Sequence, residues 1–166
     1  MYFIRTADHQ DLPRILQIYA NARDFMAQRG NPNQWGRTNP PRQQLEQDIR
    51  EKNLFVVCRG NSSHGVFYFW IGEDPTYAYI EGQWHSGQTY GTIHRIASDG
   101  SGGIVKAAVA FCAGKCGYLR IDTHKDNLPM QAAVKREGFE PCGVIYIGDG
   151  SPRIAYDRIK IYPDQW

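Results

Sequence analysis

The amino-acid sequence predicts an α/β (α+β) fold in which helices pack on one mixed, mostly antiparallel, twisted sheet. Short apolar runs rich in β-branched and aromatic residues alternate with segments of helical periodicity. In the second half of the chain a helix lies between two such runs, and this connection implies a parallel pair of strands. With 166 residues the chain has the usual length of one domain, so residues 1–166 are interpreted as a single domain.

The first half of the chain contains well-marked strands and helices. Asp8 and Asp11, followed by Pro13, suit the first turn of a helix. Leu45 and Ile49 stand one turn apart and mark the inner face of a second helix. The predicted elements are a strand over Tyr2–Arg5, a helix that stops at Arg29–Pro32, a helix from Pro41 to near Lys52, and strands over Leu54–Arg59 and Val66–Ile71 joined by the turn Gly60–Gly65.

The second half contains the strand–helix–strand pattern that predicts the parallel pair. Its predicted elements are a strand over Tyr90–Ile96, a helix over Ile104–Lys115, a strand over Tyr118–Thr123, a helix over Leu128–Glu137, and strands over Phe139–Ile147 and Arg153–Ile161. The aromatic segment Gly72–Gly91 has no clear period and no assigned element. The total is about seven strands and about four helices, and the fourth and fifth strands form the central parallel pair.

Charge and cysteine content narrow the classes of partner. The net charge is +2 and the isoelectric point is about 8.3. The electrostatic field of the protein is therefore too weak to favour binding to nucleic acid or to a membrane. Met1–Asp8 lacks the features of a secretory signal, and no apolar run approaches about 18 residues, so a cytoplasmic location is expected. The cysteines lack metal-site spacing and are expected to be free thiols, with no metal bound: Cys58, Cys112, Cys116 and Cys142.

A glycine-rich turn, Ala97–Gly103, joins a predicted strand to a predicted helix. The N–H groups at such a helix start, together with the helix dipole, can bind a phosphate. The turn is not a P-loop, because no Gly-Lys-Ser/Thr follows it, and Gly100-x-Gly102 followed by Val105 is a poor dinucleotide motif. A turn of this composition is also common as a plain structural connection.

The order of these elements and their residues resembles the GNAT acetyltransferase superfamily over essentially the whole chain. The resemblance rests on Ile4–Ala7 with Asp11–Pro13, on Ile93–Ala97 with the glycine turn that follows, and on Asp126–Asn127 through Glu137–Phe139. It implies a GNAT-like sheet whose central parallel strands splay apart, with acetyl-CoA as co-substrate. It also implies transfer of the acetyl group to a primary amine of a small molecule or a peptide or protein, by direct attack in a ternary complex.

The family's pyrophosphate motif, Arg/Gln-x-x-Gly-x-Gly/Ala, matches the glycine turn only in part. Either Gly103 or Gly100 can be the central glycine, and in both registers the customary Arg is missing. Lys106 or Lys125 is a candidate to replace its phosphate contact. The resemblance implies that acetyl-CoA binds to Arg95, Ile96, Ala97, Ser101, Gly102, Gly103, Ile104 and Asn127. Asn127 also suits the N-cap of the helix that follows it.

The family often has a tyrosine that protonates the departing thiolate, and Val134 stands at that position here. Positioning of reactants contributes effective molarities of about 10⁵–10⁸ M. One general acid contributes only about 10²–10⁴-fold, so the substitution does not change the predicted class. His94 and Glu81 are the predicted candidates for the general base, with Asp122 and His124 nearby. A strand histidine such as His94 also commonly serves a structural hydrogen bond.

The acceptor is expected to contact the first two helices, their connection and the aromatic segment. The candidate acceptor-binding residues are Trp35, Tyr77, Trp84, Asp122 and Tyr146, although aromatic residues of this kind also fill cores. The sequence leaves open the acceptor, the acyl length and the oligomeric state, and it is compatible with a homodimer. The alternative functions are a catalytically silent acyl-CoA sensor and an interaction domain that binds no CoA.

Overall fold

The computed structural model describes residues 1–160, which form an eight-stranded sheet and four α-helices. The strands are β1 (Phe3–Thr6), β2 (Leu54–Arg59), β3 (Ser62–Ile71), β4 (Glu81–Gly82), β5 (Gly91–Ser98), β6 (Tyr118–Thr123), β7 (Glu140–Tyr146) and β8 (Pro152–Ile159). The helices are α1 (Leu12–Gln28), α2 (Arg42–Arg50), α3 (Ile104–Lys115) and α4 (Leu128–Arg136). None of these helices is long and apolar enough to cross a membrane.

The strand order is β1-β2-β3-β5-β6-β8-β7-β4, and every neighbouring pair is antiparallel except β5 and β6. The predicted mixed sheet with one parallel pair is therefore confirmed. That pair is short, because its register contains only Gly91↔Leu119 and Thr92↔Arg120. Beyond Thr92 the two strands separate, and the gap between them opens toward their carboxyl ends.

The structure differs from the sequence prediction in the number and length of some strands. An eighth strand, β4, lies in the unassigned aromatic segment and pairs with β7 through Glu81↔Val144. Two residues are too few to produce a period, so sequence could not reveal it. β3 begins at Ser62, because a turn at Gly60, with φ of 60°, lets Arg59 pair with Ser62. Ile161, predicted to end the last strand, lies outside the described residues.

The two faces of the sheet carry separate apolar cores. α3 and α4 pack through Ile104, Ala108 and Val134 against a core that includes Phe67 and Leu119. α1 and α2 pack on the opposite side, where Ile15, Tyr19 and Leu45 meet Leu54 and Val56. Successive side chains of β2 point to opposite faces of the sheet, as in any strand. Val56 therefore packs in the core with α1 and α2, and Val57 packs in the core with α3 and α4.

A bulge in β5 marks the place where it leaves β6. The register with β3 shifts between Val66↔Ala97 and Tyr68↔His94, and Arg95 adopts a φ of 53°. A left-handed backbone at a residue other than glycine costs free energy and requires support from its surroundings. Support comes from Asp48 of α2, which accepts a hydrogen bond from Arg95 Nη2 at 2.5 Å, and from Tyr19, whose hydroxyl donates to the Arg95 carbonyl at 2.8 Å.

Candidate functional site

Three connected spaces run through the gap between β5 and β6. A groove of about 530 Å³ lies between α1, the glycine turn and α4. A narrow slot between the separated strands shares Met26, Asn127 and Met130 with this groove. The slot in turn shares Gln34, Trp35, Arg95 and Asp122 with a cavity of about 320 Å³, which we call the acceptor cavity. The slot is narrow, with a volume of about 20 Å³, and the three spaces adjoin one another from the start of α3 to the acceptor cavity.

The start of α3 forms one end of this path. Gly103 caps the helix with a φ of 82°, and Ile104 begins it. The first N–H groups of an α-helix have no intrahelical partner, so this end presents donors and partial positive charge. Lys106 and Arg136 line the adjoining cavity of about 420 Å³, and Arg136 also lines the groove. These cations flank the helix start as a phosphate site requires, whereas Lys125 lines none of these spaces.

An acidic residue, Asp99, lies within the glycine turn. Its carboxylate contacts Arg14 at 2.9 Å and His64 at 2.8 Å, and it accepts a hydrogen bond from the Ser101 N–H at 2.9 Å. Burial opposes ionisation of Asp99, but the hydrogen bonds from Ser101 and His64 outweigh burial and lower its pKa. The turn is therefore held in shape by its own carboxylate. The Tyr2 hydroxyl adds a hydrogen bond to the Gly102 carbonyl at 2.8 Å.

The slot is bounded by two amide side chains, the buried Asn127 and the partly buried Gln34. Asn127 caps α4 by accepting from the Met130 N–H at 3.2 Å, as its sequence position predicts. Its Nδ2 donates to Gln34 Oε1 at 2.9 Å. Gln34 also accepts from Asn31 Nδ2 at 2.9 Å, so the α1–α2 connection is attached to the start of α4. Asn127 thus fulfils its structural role while lining the slot.

The acceptor cavity contains a histidine between two carboxylates. His94 Nε2 lies 2.7 Å from Asp74 Oδ2, and its Nδ1 lies 3.6 Å from Asp122 Oδ1. Burial opposes ionisation of Asp74, but the interactions with His94 and the hydrogen bonds from Thr76 together outweigh burial and lower the Asp74 pKa to about 2. Asp122 also accepts from the Tyr77 hydroxyl at 2.6 Å, and burial together with this carboxylate raises the Tyr77 pKa well above 10. Tyr77 is therefore a neutral donor that fixes Asp122.

Some residues predicted for the site lie elsewhere. Glu81 is exposed on the edge strand β4, where its carboxylate interacts with Tyr146, and neither residue lines the acceptor cavity. Trp84 packs against Tyr77 with ring centroids 5.1 Å apart, and the Arg120 guanidinium lies 4.1 Å from its ring. Trp84 and Tyr77 do not line the acceptor cavity. They support it through the hydrogen bond from Tyr77 to Asp122, which lines it. Trp35, Asp122, His94 and Arg95 are the predicted residues that the structure brings together there.

Three charged residues of these spaces were not predicted from the sequence. Asp74 lies in the unassigned segment, where it caps a short 3-10 turn, and only the fold brings it to His94. Arg136 is one of several cations near the end of α4, and nothing in its spacing distinguishes it. Arg153 begins the buried stretch of β8, where an arginine in an apolar strand is the one available signal.

A second cavity borders Asp74 and Tyr77 from the opposite direction. It has a volume of about 570 Å³ and lies between the loops at 72–78 and 87–90. It shares no residue with the slot or the groove, so a molecule bound there would not lie against a group held between β5 and β6.

His85, Cys142 and Asp157 form a cluster that shares no residue with the acceptor cavity. Their polar atoms lie within 4.8 Å of one another. Asp157 accepts hydrogen bonds from His85 Nδ1 at 2.6 Å, from the His85 N–H at 2.8 Å and from the Tyr118 hydroxyl at 2.8 Å. Burial raises the pKa of the Cys142 thiol to about 12, so the thiol keeps its proton. These hydrogen bonds account for the cluster.

The His85–Asp157 pair makes the stability of the protein depend on pH. Its hydrogen bond with Asp157 raises the His85 pKa above 6.5, and the same contact helps to lower the Asp157 pKa below 3.8. The stabilisation is therefore complete between these two values and is lost as pH rises through the raised His85 pKa. We expect the difference in Tm between the wild type and His85→Gln to be largest near pH 5–6 and to vanish in alkali. An equal difference at all pH values would contradict this; His9→Gln, at an exposed histidine, is the control.

No protein-family model and no curated protein sequence matches the chain. Solved structures do match it. A GNAT-family acetyltransferase from Streptococcus agalactiae 2603 is 28% identical, with a TM-score of 0.87, covering 97% of this chain and 96% of that one. A ribosomal-protein-alanine N-acetyltransferase from Brucella melitensis is 18% identical, with a TM-score of 0.64, covering 95% and 99%.

A third match, AAC(6')-Ib in complex with paromomycin and acetyl-CoA, is 14% identical, with a TM-score of 0.64, covering 95% of this chain and 93% of that one. The two more distant matches show the fold alone. The Streptococcus match covers nearly the full length of both chains. The sheet order, the separated parallel strands and this match agree with the resemblance found in the sequence. The chain therefore has the fold of the GNAT acetyltransferase superfamily.

Proposed function

We propose that residues 1–166 form one acetyltransferase domain that transfers the acetyl group of acetyl-CoA to a primary amine of a small molecule. The observation that carries the proposal is the row of adjoining spaces from the start of α3, through the gap between β5 and β6, to the cavity that contains His94 and Asp122. The acetyl-CoA complex of a protein with the same fold supports acetyl-CoA as the co-substrate.

The residues along the path suit the parts of acetyl-CoA in order. The N–H groups at the start of α3, with Arg136 and Lys106, suit the phosphates. The slot suits the narrow pantetheine arm, because β5 beyond Thr92 has left β6 and its backbone groups on that side can pair with amides. The thioester would then lie near Arg95 and Asp122, where the slot meets the acceptor cavity.

The acceptor amine must lose a proton in order to attack the thioester. The Asp74 carboxylate accepts from His94 Nε2–H, which leaves Nδ1 as the basic atom, directed toward Asp122. The amine nitrogen bonds to the thioester carbon and its proton passes to His94 Nδ1. The carbon–sulfur bond then breaks, and the electron pair leaves with sulfur. Before this step, Asp122 attracts the ammonium form of the acceptor, which releases one proton to solvent and becomes the neutral amine that attacks.

The leaving thiolate has no side-chain acid at the position where the family often has a tyrosine. Val134 is fully buried in the core between α4 and the sheet. A thiol pKa near 8.5 makes the thiolate a tolerable leaving group near neutral pH. The proton held by His94 can also return to sulfur through water after the carbon–sulfur bond breaks. The proposal therefore needs no second catalytic side chain.

The direct test is release of free thiol from acetyl-CoA in the presence of amines, amino acids, polyamines and peptides. Acceptor-dependent release, with mass spectrometry showing the acetylated amine, is the expected result. Binding of acetyl-CoA without turnover of any acceptor would instead support a silent acyl-CoA sensor. Absence of acetyl-CoA binding by calorimetry would rule out both functions.

Arg136→Ala is expected to raise the KM for acetyl-CoA roughly tenfold, with kcat less affected. One exposed cation on a phosphate contributes about 1.4 kcal/mol, which corresponds to a factor of ten. Lys135→Ala, at an exposed neighbour on α4 that lines none of these spaces, is the matched control. Equal KM values for Arg136→Ala and Lys135→Ala would contradict this prediction and mean that the phosphates of acetyl-CoA do not bind beside Arg136.

A further inference from the structure

Arg153 lines the acceptor cavity and is only 5% exposed. Within residues 1–160, no carboxylate lies within 4.0 Å of its guanidinium. Its hydrogen bonds go to two backbone carbonyls, Pro152 O at 2.9 Å from Nη1 and Gln34 O at 3.2 Å from Nη2. A guanidinium has five N–H donors, so donors remain for a ligand.

Three other arginines that reach into the protein, Arg14, Arg95 and Arg120, have a carboxylate or aromatic rings beside the guanidinium. Arg95 pairs with Asp48 and Arg14 pairs with Asp99. Arg120 is 7% exposed, but its guanidinium lies 3.9 Å from the Tyr90 ring centre and 4.1 Å from the Trp84 ring centre. Arg153 has neither a close carboxylate nor a stacking ring among the described residues.

A buried cation without a counterion is costly, because desolvation is not offset by a nearby charge. Desolvation accordingly lowers the Arg153 pKa, while Asp122 and Asp149 oppose this from a distance. An anionic ligand in the cavity would supply the missing charge. Guanidinium groups bind carboxylates through paired parallel hydrogen bonds.

We propose that Arg153 forms a carboxylate-binding subsite, so that the preferred acceptor carries both an amine and a carboxylate, as an amino acid does. This inference rests on the proposed function. The carboxylate binds Arg153, and the ammonium lies toward Asp122 and His94. Two carboxylates, Asp74 and Asp122, border the same region and disfavour a dianionic phosphate.

The rest of the cavity suits the middle of such a molecule. Trp35, Pro40 and Ile147 contribute apolar surface to its wall. Its volume of about 320 Å³ is near the lower end for small-molecule pockets, about 300–1,000 Å³. The cavity therefore fits a free molecule of amino-acid size.

The test compares matched acceptors with and without the carboxylate: lysine with cadaverine, phenylalanine with phenethylamine, and tryptophan with tryptamine. We expect kcat/KM to favour at least one amino acid over its matched amine by about tenfold or more, the discrimination expected for a paired charged hydrogen bond. In Arg153→Gln this ratio should fall toward one. Arg153→Lys keeps the charge but loses the paired donors of the guanidinium, so it should give an intermediate ratio. Arg50→Gln, at an exposed position of α2, should keep the wild-type ratio.

Equal use of both members of every pair by the wild type would overturn the subsite and leave the acetyltransferase function intact. Retention of the wild-type ratio by Arg153→Gln would also overturn it. If no acceptor is acetylated, the proposed function fails, and binding decides the subsite by itself. In that case, calorimetry with acetyl-CoA present should show binding of an amino acid to the wild type and about tenfold weaker binding to Arg153→Gln. Absence of that difference would overturn the subsite.

Discussion

Replacement of His94 by Gln is expected to lower kcat by about 10²–10⁴-fold, the usual contribution of one general base. Glutamine retains a donor that can reach Asp74, whose carboxylate lies 2.7 Å from His94 Nε2 in the wild type. It cannot accept the proton of the attacking amine at the Nδ1 position. The variant should therefore fold and bind acetyl-CoA normally while losing turnover, as steady-state assay and calorimetry would show.

Two further variants separate a base from a merely structural histidine. Asp74→Asn should reduce kcat less, because it disturbs the tautomer of His94 and leaves the ring in place. His9→Gln, at an exposed site near the N-terminus, is the control. A His94→Gln variant with the kcat of the wild type would show that His94 is not the general base.

Much of the fold could be predicted because its periodic elements are long. α3 over Ile104–Lys115 and β6 over Tyr118–Thr123 match the sequence prediction residue for residue. Gly103 precedes α3 and Gly117 separates α3 from β6, so these boundaries are clear in the sequence. β4 could not be predicted, because two paired residues depend on β7 and not on their own pattern.

The candidate site was less predictable than the fold because its charges come from distant segments. His94 was a candidate on chemical grounds, but its partner Asp74 caps a short turn, and no feature of the sequence places that turn beside His94. Glu81 was an equally reasonable carboxylate from sequence alone, and the sheet places it at an exposed edge. Tertiary packing thus decided which acid lies beside the histidine.

The second large effect is expected for Asp48→Ala, which should lower the free energy of unfolding by about 3 kcal/mol. Asp48 is 1% exposed and accepts from Arg95 Nη2 at 2.5 Å and from Gln44 Nε2 at 2.9 Å. Removal of one partner of a buried ion pair typically costs about 3–5 kcal/mol. We expect the lower end, because the Arg95 side chain remains 23% exposed and water can screen it. Tm should fall by about 6–12 °C.

This loss should also reach the site, because Asp48 holds the bulge at which β5 leaves β6. Without that contact, Arg95 is free to abandon its φ of 53°, and the backbone expected to bind the pantetheine arm would lose its preset shape. The KM for acetyl-CoA should therefore rise in Asp48→Ala but not in Asp24→Ala, at an exposed position of α1. A double-mutant cycle with Arg95→Met would isolate the pair's coupling. A coupling near zero would mean that the bulge persists without the ion pair, since Tyr19 alone would then hold the Arg95 carbonyl.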